Sequence, residues 1–210
     1  MDNTTMKEDT AKTPPPPPPV KSRGMRLARL ASTHALVFVV ALSLFAAADS
    51  WSTITGLGIA TVLCVVTGAL AGITITTLVH EWFHYLGARY SGAAYDIPDK
   101  QGLFLYNWDF THNSVRQFLM MSVAGSVGGI LALSILWTSV PADSWGRAAL
   151  QGGAIASVVF AAYIEWPVIR RVRISRDPLA QMSKIDQRVL SRSFAVSSTA
   201  GVLMALVLVA

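Results

Sequence analysis

Five apolar windows, at about 32–48, 54–85, 118–140, 148–169 and 194–210, restrict what this chain can fold into more than any other feature. A bilayer core about 30 Å thick is crossed by roughly 20 apolar residues in helix. In hydrocarbon, every backbone N–H and C=O must find its partner inside the helix or around a closed barrel. Windows of this length therefore predict an all-α integral membrane protein with about five transmembrane helices. The lipid bilayer is its first partner. Composition agrees, since 52% of the 210 residues are hydrophobic and only 14% are charged.

The charges that remain are clustered. Of 17 Lys and Arg, six precede the first window, three lie at 87–116, seven at 170–192, and only Arg147 stands elsewhere. Basic loops on alternate sides of the spans follow the positive-inside rule, which puts the N-terminus and the loops after spans two and four in the cytoplasm. That alternation accounts for the net charge of +5 without nucleic acid as a partner. Residues 1–31, with the polyproline run "TPPPPPPV", read as a disordered cytoplasmic tail, and residues 32–210 as the membrane domain. The basic flank, the apolar core from Ala35 to Phe45 and "AAAD" also have the pattern of a secretory signal, but the topology of the later spans is the same either way. Cys64, the lone cysteine, lies inside the second window and reads as a packing residue.

Chemistry enters at Thr77 to Tyr90, "TLVHEWFHYLGARY". On a helix, His80 and His84 share one face and can ligate one metal ion, while Glu81 projects from a neighbouring position. This is the HExxH arrangement of zinc peptidases. Two neutral imidazoles and a third protein ligand hold Zn2+, a fourth position stays open to water, and the glutamate acts as general base and then acid. With four His and three Glu in the chain, the pattern arises by chance in about one such chain in a thousand, so the spacing carries weight. Ionised groups in a span cost about 2.5 kcal/mol or more each, and the three glutamates are Glu8 in the tail, Glu81, and Glu165 in span four. The plainer alternative is an interfacial turn with aromatic anchors.

Glu165 is the candidate third metal ligand. In "AAYIEWPVIRR" it precedes Arg170 and Arg171 at the membrane boundary, at about the depth of His80 and His84, with Pro167 able to kink the helix beside it. An ion pair with one of those arginines is the structural alternative. Asp109 and His112, in "NWDFTHN" between spans two and three, compete for the same role. The rest of that loop mixes turn residues with the β-prone run "LFLYNW", which suggests a β-hairpin or a belt of interfacial aromatics. Span three has small residues at 122, 124, 125, 126, 128 and 129, a spacing that lets helices approach closely.

Together these features resemble the site-2 protease family of intramembrane zinc metalloproteases. "HEWFH" matches that family's HExxH, and "SVAGSVGG" resembles its AGPxxN segment, with Ser126 and Gly129 in place of proline and asparagine. The likeness covers about 70–169. It implies His80 and His84 as zinc ligands, Glu81 as general base, a transmembrane protein as substrate and a bacterial inner membrane as location. The family's ligand-bearing NxxPxxxxDG segment is absent, so Glu165 would replace its aspartate. A noncatalytic membrane scaffold or assembly factor with a metalloprotease-like fold is the alternative from another class. A di-iron oxygenase is excluded by the count of four histidines.

Overall fold

The computed structural model describes residues 22–99 and 105–210. Its elements run α1 (Arg23–Thr55), α2 (Gly58–Tyr90), β1 (Tyr95–Asp96), β2 (Asn107–Trp108), α3 (Val115–Ser139), α4 (Trp145–Ser175), α5 (Pro178–Met182) and α6 (Gln187–Val209). Five of these helices are long and apolar enough to cross a membrane, so the chain is an all-α protein of the membrane type.

Small polar caps set the helix starts. The side chains of Ser22, Ser114, Ser144 and Asp186 accept backbone N–H bonds from the first turns of α1, α3, α4 and α6. At Ser114 the Gln117 side chain answers in a reciprocal capping box. The helices thus extend beyond the apolar windows. Residues 23–31, expected in a disordered tail, form the first turns of α1. They are helical because they pack on the loop after α2: Arg26 pairs with Asp96 at 3.2 Å and Asp99 at 3.6 Å, Arg23 stacks over the Tyr95 ring at 4.3 Å, and Leu27 and Leu30 join a cluster with Tyr85, Ile97 and Leu105. The polyproline run lies outside the described residues. The second window was expected to start at residue 54, but Ile54 and Thr55 close α1. Gly56 ends that helix at φ 64°, with its N–H on the Ser52 carbonyl.

Helix α2 is the centre of the bundle, flanked by α1, α3 and α4, while α6 packs on the far side of α4. α2 and α4 run in the same direction and touch backbone to backbone. A Cβ on Gly68 would lie 2.4 Å from the Gly146 carbonyl oxygen, one on Gly72 2.0 Å from that of Leu150, and one on Gly153 2.2 Å from that of Ala69. Side chains that would separate the helices are absent at each crossing, as small-residue packing in membranes requires. Further along, Thr77 and Ser157 share a 2.8 Å hydrogen bond. Cys64 is buried in the core at the end of the bundle away from the α2–α3 loop, with Phe45, Ala71, Ile75 and Leu150.

The α2–α3 loop folds back over the bundle. β1 and β2 pair antiparallel, Tyr95 opposite Trp108 and Asp96 opposite Asn107. The hairpin reading of this loop is present, and Trp82, Tyr85, Tyr95 and Tyr106 pack edge to face around it. Lys100 to Phe104, the turn and the start of "LFLYNW", lie outside the described residues.

Candidate metal centre

The site sits where α2, α3 and α4 converge. His80 and Glu165 each lie ten residues before the last residue of their helix, about 15 Å along the axis. Parallel helices tied by glycines upstream therefore bring them to one level, as the depth comparison in the sequence anticipates. His80 Nε2 lies 2.9 Å from Glu165 Oε1, His84 Nε2 lies 2.9 Å from the same oxygen, and the two Nε2 atoms are 3.0 Å apart. Both histidines are buried and the Glu165 side chain is 21% exposed.

The protonation of this triangle can be reasoned out. His84 Nδ1 is 2.9 Å from the Met121 carbonyl, which can only accept, so Nδ1 carries the proton and a neutral His84 presents a bare Nε2. That lone pair faces a carboxylate oxygen and a second imidazole nitrogen. Atoms this close need hydrogen or metal between them, either a proton carried on His80 Nε2 or shared among the three groups, or a metal ion bound by all of them. An imidazole whose other nitrogen donates to a backbone carbonyl is the usual dress of a metal-bound histidine. On the α3 side, Ser126 Oγ donates to Glu165 Oε2 over a long 3.4 Å. Gly125 makes room for His84, since a Cβ there would fall 2.2 Å from its Cε1.

Glu81 is placed differently from Glu165. One of its carboxylate oxygens lies within 4.8 Å of a ring nitrogen of both His80 and His84, so the His80–Glu81–His84 group can hold a metal ion. Among the described residues Glu81 has no hydrogen-bond partner, whereas Glu165 touches both imidazoles. Proximity thus separates the carboxylates, with Glu165 inside the triangle and Glu81 beside it.

The competing candidates are elsewhere. Asp109 Oδ2 accepts from His112 Nδ1 at 2.7 Å, and Oδ1 accepts the Thr111 hydroxyl and the Thr111 and His112 amides. Those bonds hold the Asp109 carboxyl well below its ordinary value, and the His112 side chain is 75% exposed. Arg171 donates to the Pro167 carbonyl at 3.1 Å instead of pairing with Glu165. α4 runs through Pro167 unbroken.

Sequence reasoning missed Tyr106. The hairpin carries it toward the site, where burial, and then the nearby carboxylates of Glu81 and Glu165, push its phenol up. The only sequence signal was its membership of the aromatic run. It missed the Met121 carbonyl too, for a backbone atom leaves no trace in residue identity.

The site defines a class, a multispan membrane protein whose central helix presents a metal-capable HExxH to a carboxylate from a parallel neighbour. Compared with protein-family models, curated proteins and solved structures, the chain matches none.

Proposed function

We propose that the chain is an intramembrane zinc metallopeptidase, a remote relative of the site-2 proteases. It hydrolyses peptide bonds of a transmembrane protein substrate near the cytoplasmic face of a bacterial inner membrane, with its own N-terminus cytoplasmic. The observation that carries this reading is the triangle of His80 Nε2, His84 Nε2 and Glu165 Oε1 with edges of 2.9–3.0 Å. Zinc bonds of about 2.0–2.1 Å to nitrogen and about 2.0–2.2 Å to oxygen set tetrahedral ligand atoms roughly 3.3 Å apart. The residues fit such an ion after a slight expansion. A zinc ion held by His80, His84 and Glu165 would supply Lewis acidity and lower the pKa of water toward about 7.

The chain's own groups do the rest. His80 and His84 hold neutral nitrogens in place, the latter through the Met121 carbonyl. Glu165 adds the negative charge that completes the donor set. Glu81 stands beside both imidazoles without a hydrogen bond to either, so its carboxylate can take a proton from water and return it to the leaving amine, a role worth typically 10²–10⁴ in rate. A substrate helix must be locally unwound first, because helical carbonyls are engaged and shielded.

The test compares purified wild type with Glu81→Gln and the paired His80→Ala/His84→Ala variant by elemental analysis and peptide cleavage. About one zinc per chain is expected in wild type and Glu81→Gln, with cleavage lost in the latter, and neither zinc nor cleavage in the double variant. Metal retained without both histidines would sink the assignment. A metal-free wild type after chelator-free purification would favour a noncatalytic scaffold, in which protons bridge the same three groups.

A further inference from the structure

Gly125, Gly128 and Gly129 of α3 all approach α2, but packing does not require all three. A Cβ at Gly125 would stand 2.2–2.5 Å from three atoms of the His84 ring, and one at Gly128 2.4–2.8 Å from three atoms of Phe83. At both positions a side chain would have to displace a ring of α2. A Cβ at Gly129 would meet His80 Nδ1 at 3.4 Å and Val158 Cγ2 at 3.7 Å, which is ordinary contact. Close helix approach therefore does not explain Gly129.

What lies in front of it is a recess between α3 and α4, walled by His80, Ser126, Ile130, Val158, Ala162 and Trp166. Its interior has room of about 20 Å³ for water-sized occupants, above the roughly 10–15 Å³ that one water needs. The lining is apolar except for His80 and Ser126, whose hydroxyl is turned to Glu165. Such a wall offers a water too few partners to be a comfortable hydration site. Ile130 is 49% and Trp166 56% exposed, so the mouth opens on the outer surface of two membrane-length helices.

Resting on the peptidase reading, the geometry points to this recess as the subsite for a small aliphatic side chain on the residue flanking the cleaved bond of a membrane-embedded peptide, with Gly129 setting the upper limit of size. The position supports that occupant, because His80 forms both one wall of the recess and one corner of the donor triangle. Gly129 faces the Nδ1 side of the His80 ring while Nε2 forms the triangle, so a side chain seated in the recess stands one imidazole's width from the reacting centre and its residue flanks the cleaved bond. The apolar wall selects Ala over polar residues, with Val filling the available room, and the bulk of Trp166 at the rim and the narrowness of the recess disfavour aromatic ones.

The experiment uses the full chain, zinc-loaded in detergent, with peptide hydroxamates identical except for one side chain: methyl, isopropyl, isobutyl or benzyl. Dissociation constants are measured by calorimetry for wild type, Gly129→Ala and Ala162→Val, with zinc content determined on each sample. Wild type is expected to bind the methyl and isopropyl compounds best and the benzyl compound worst. Gly129→Ala fits the fold without displacing a neighbour, so it should keep its zinc and the methyl affinity within about twofold while weakening isopropyl and isobutyl about tenfold. Ala162→Val should do the same from the opposite wall. Equal losses across the series, or none, with zinc retained, would overturn the inference and leave the recess as a gap for lipid chains. A wild-type chain that holds no zinc would overturn the peptidase reading and this inference with it.

Discussion

Each end of the helical bundle carries a polar cluster among apolar helices, and the two are built on opposite principles. At the end away from the α2–α3 loop, Arg147 lies between Asp49 of α1 and Asp143. Its Nε and Nη2 donate to Asp49 Oδ2 at 3.1 and 3.0 Å, and its Nη1 donates to both oxygens of Asp143. The cluster contains its own cation and ties α1 to α4. At the other end, His80, His84 and Glu165 bring three acceptor-capable atoms together without a Lys or Arg among them. A cluster that supplies its own counter-charge is explained by architecture alone. One that converges acceptor-capable atoms on a point is explained by what lies between them, protons or a metal ion.

The contrast can be broken by substitution, and the largest effect is expected at the acceptor cluster. Glu165→Ala removes one corner of the triangle and should weaken zinc binding by more than about 100-fold, beyond the 10–100-fold typical of an outer-sphere partner. Competition with a chelator of known affinity measures it. Zinc held as tightly as in wild type would return Glu165 to a structural role. Next in size is Gly125→Ala, whose methyl would collide with the His84 ring. It should cost about 10–100-fold in zinc affinity by tilting one ligand, with the helical circular dichroism unchanged.

The self-sufficient cluster should respond in stability and not in metal content. Arg147→Met strands two carboxylates, a change worth about 3–5 kcal/mol when such a pair is fully buried. The Arg147 side chain is 30% exposed and that of Asp49 15%, so about 1–3 kcal/mol is expected in a detergent melting experiment. Asp49→Asn in the same chain should recover part of it. Smallest of all is Asp109→Ala. Its carboxyl is held below the ordinary 3.8, so whatever it contributes is present above that value and lost as pH falls through the depressed one. At neutral pH the variant should keep full zinc content, and its melting curve should differ from wild type only through the loop, with the difference disappearing in strong acid. Loss of zinc would place Asp109 in the site.

What the sequence could and could not disclose follows from the range of the interactions concerned. Helix number, the HEWFH face and the common depth of Glu165 are properties of spacing along one helix and of distance from a membrane boundary, and both can be counted on a single chain. Helix ends were less legible, because caps at Ser22 and Ser144 and the packing of Arg23, Arg26 and Leu30 on the hairpin extend helix past the apolar windows. The Met121 carbonyl, the approach of Tyr106 and the different duties of Gly125 and Gly129 depend on how α3 and the hairpin settle against α2. No periodicity distinguishes one small residue of "SVAGSVGG" from the next. Only the neighbour across the interface does.

The backbone contacts between α2 and α4 have a consequence for how this chain can change over time. Gly68, Gly72, Gly146 and Gly153 lock the two helices in register upstream of the site, and His84 and Glu165 then each stand twelve residues beyond Gly72 and Gly153 respectively. One residue inserted or deleted within either stretch would swing the ligand about 100° around its helix and shift it about 1.5 Å along the axis. Length variation in this protein should therefore collect in the tail and the loops, while these two twelve-residue stretches tolerate substitution but never a change in count.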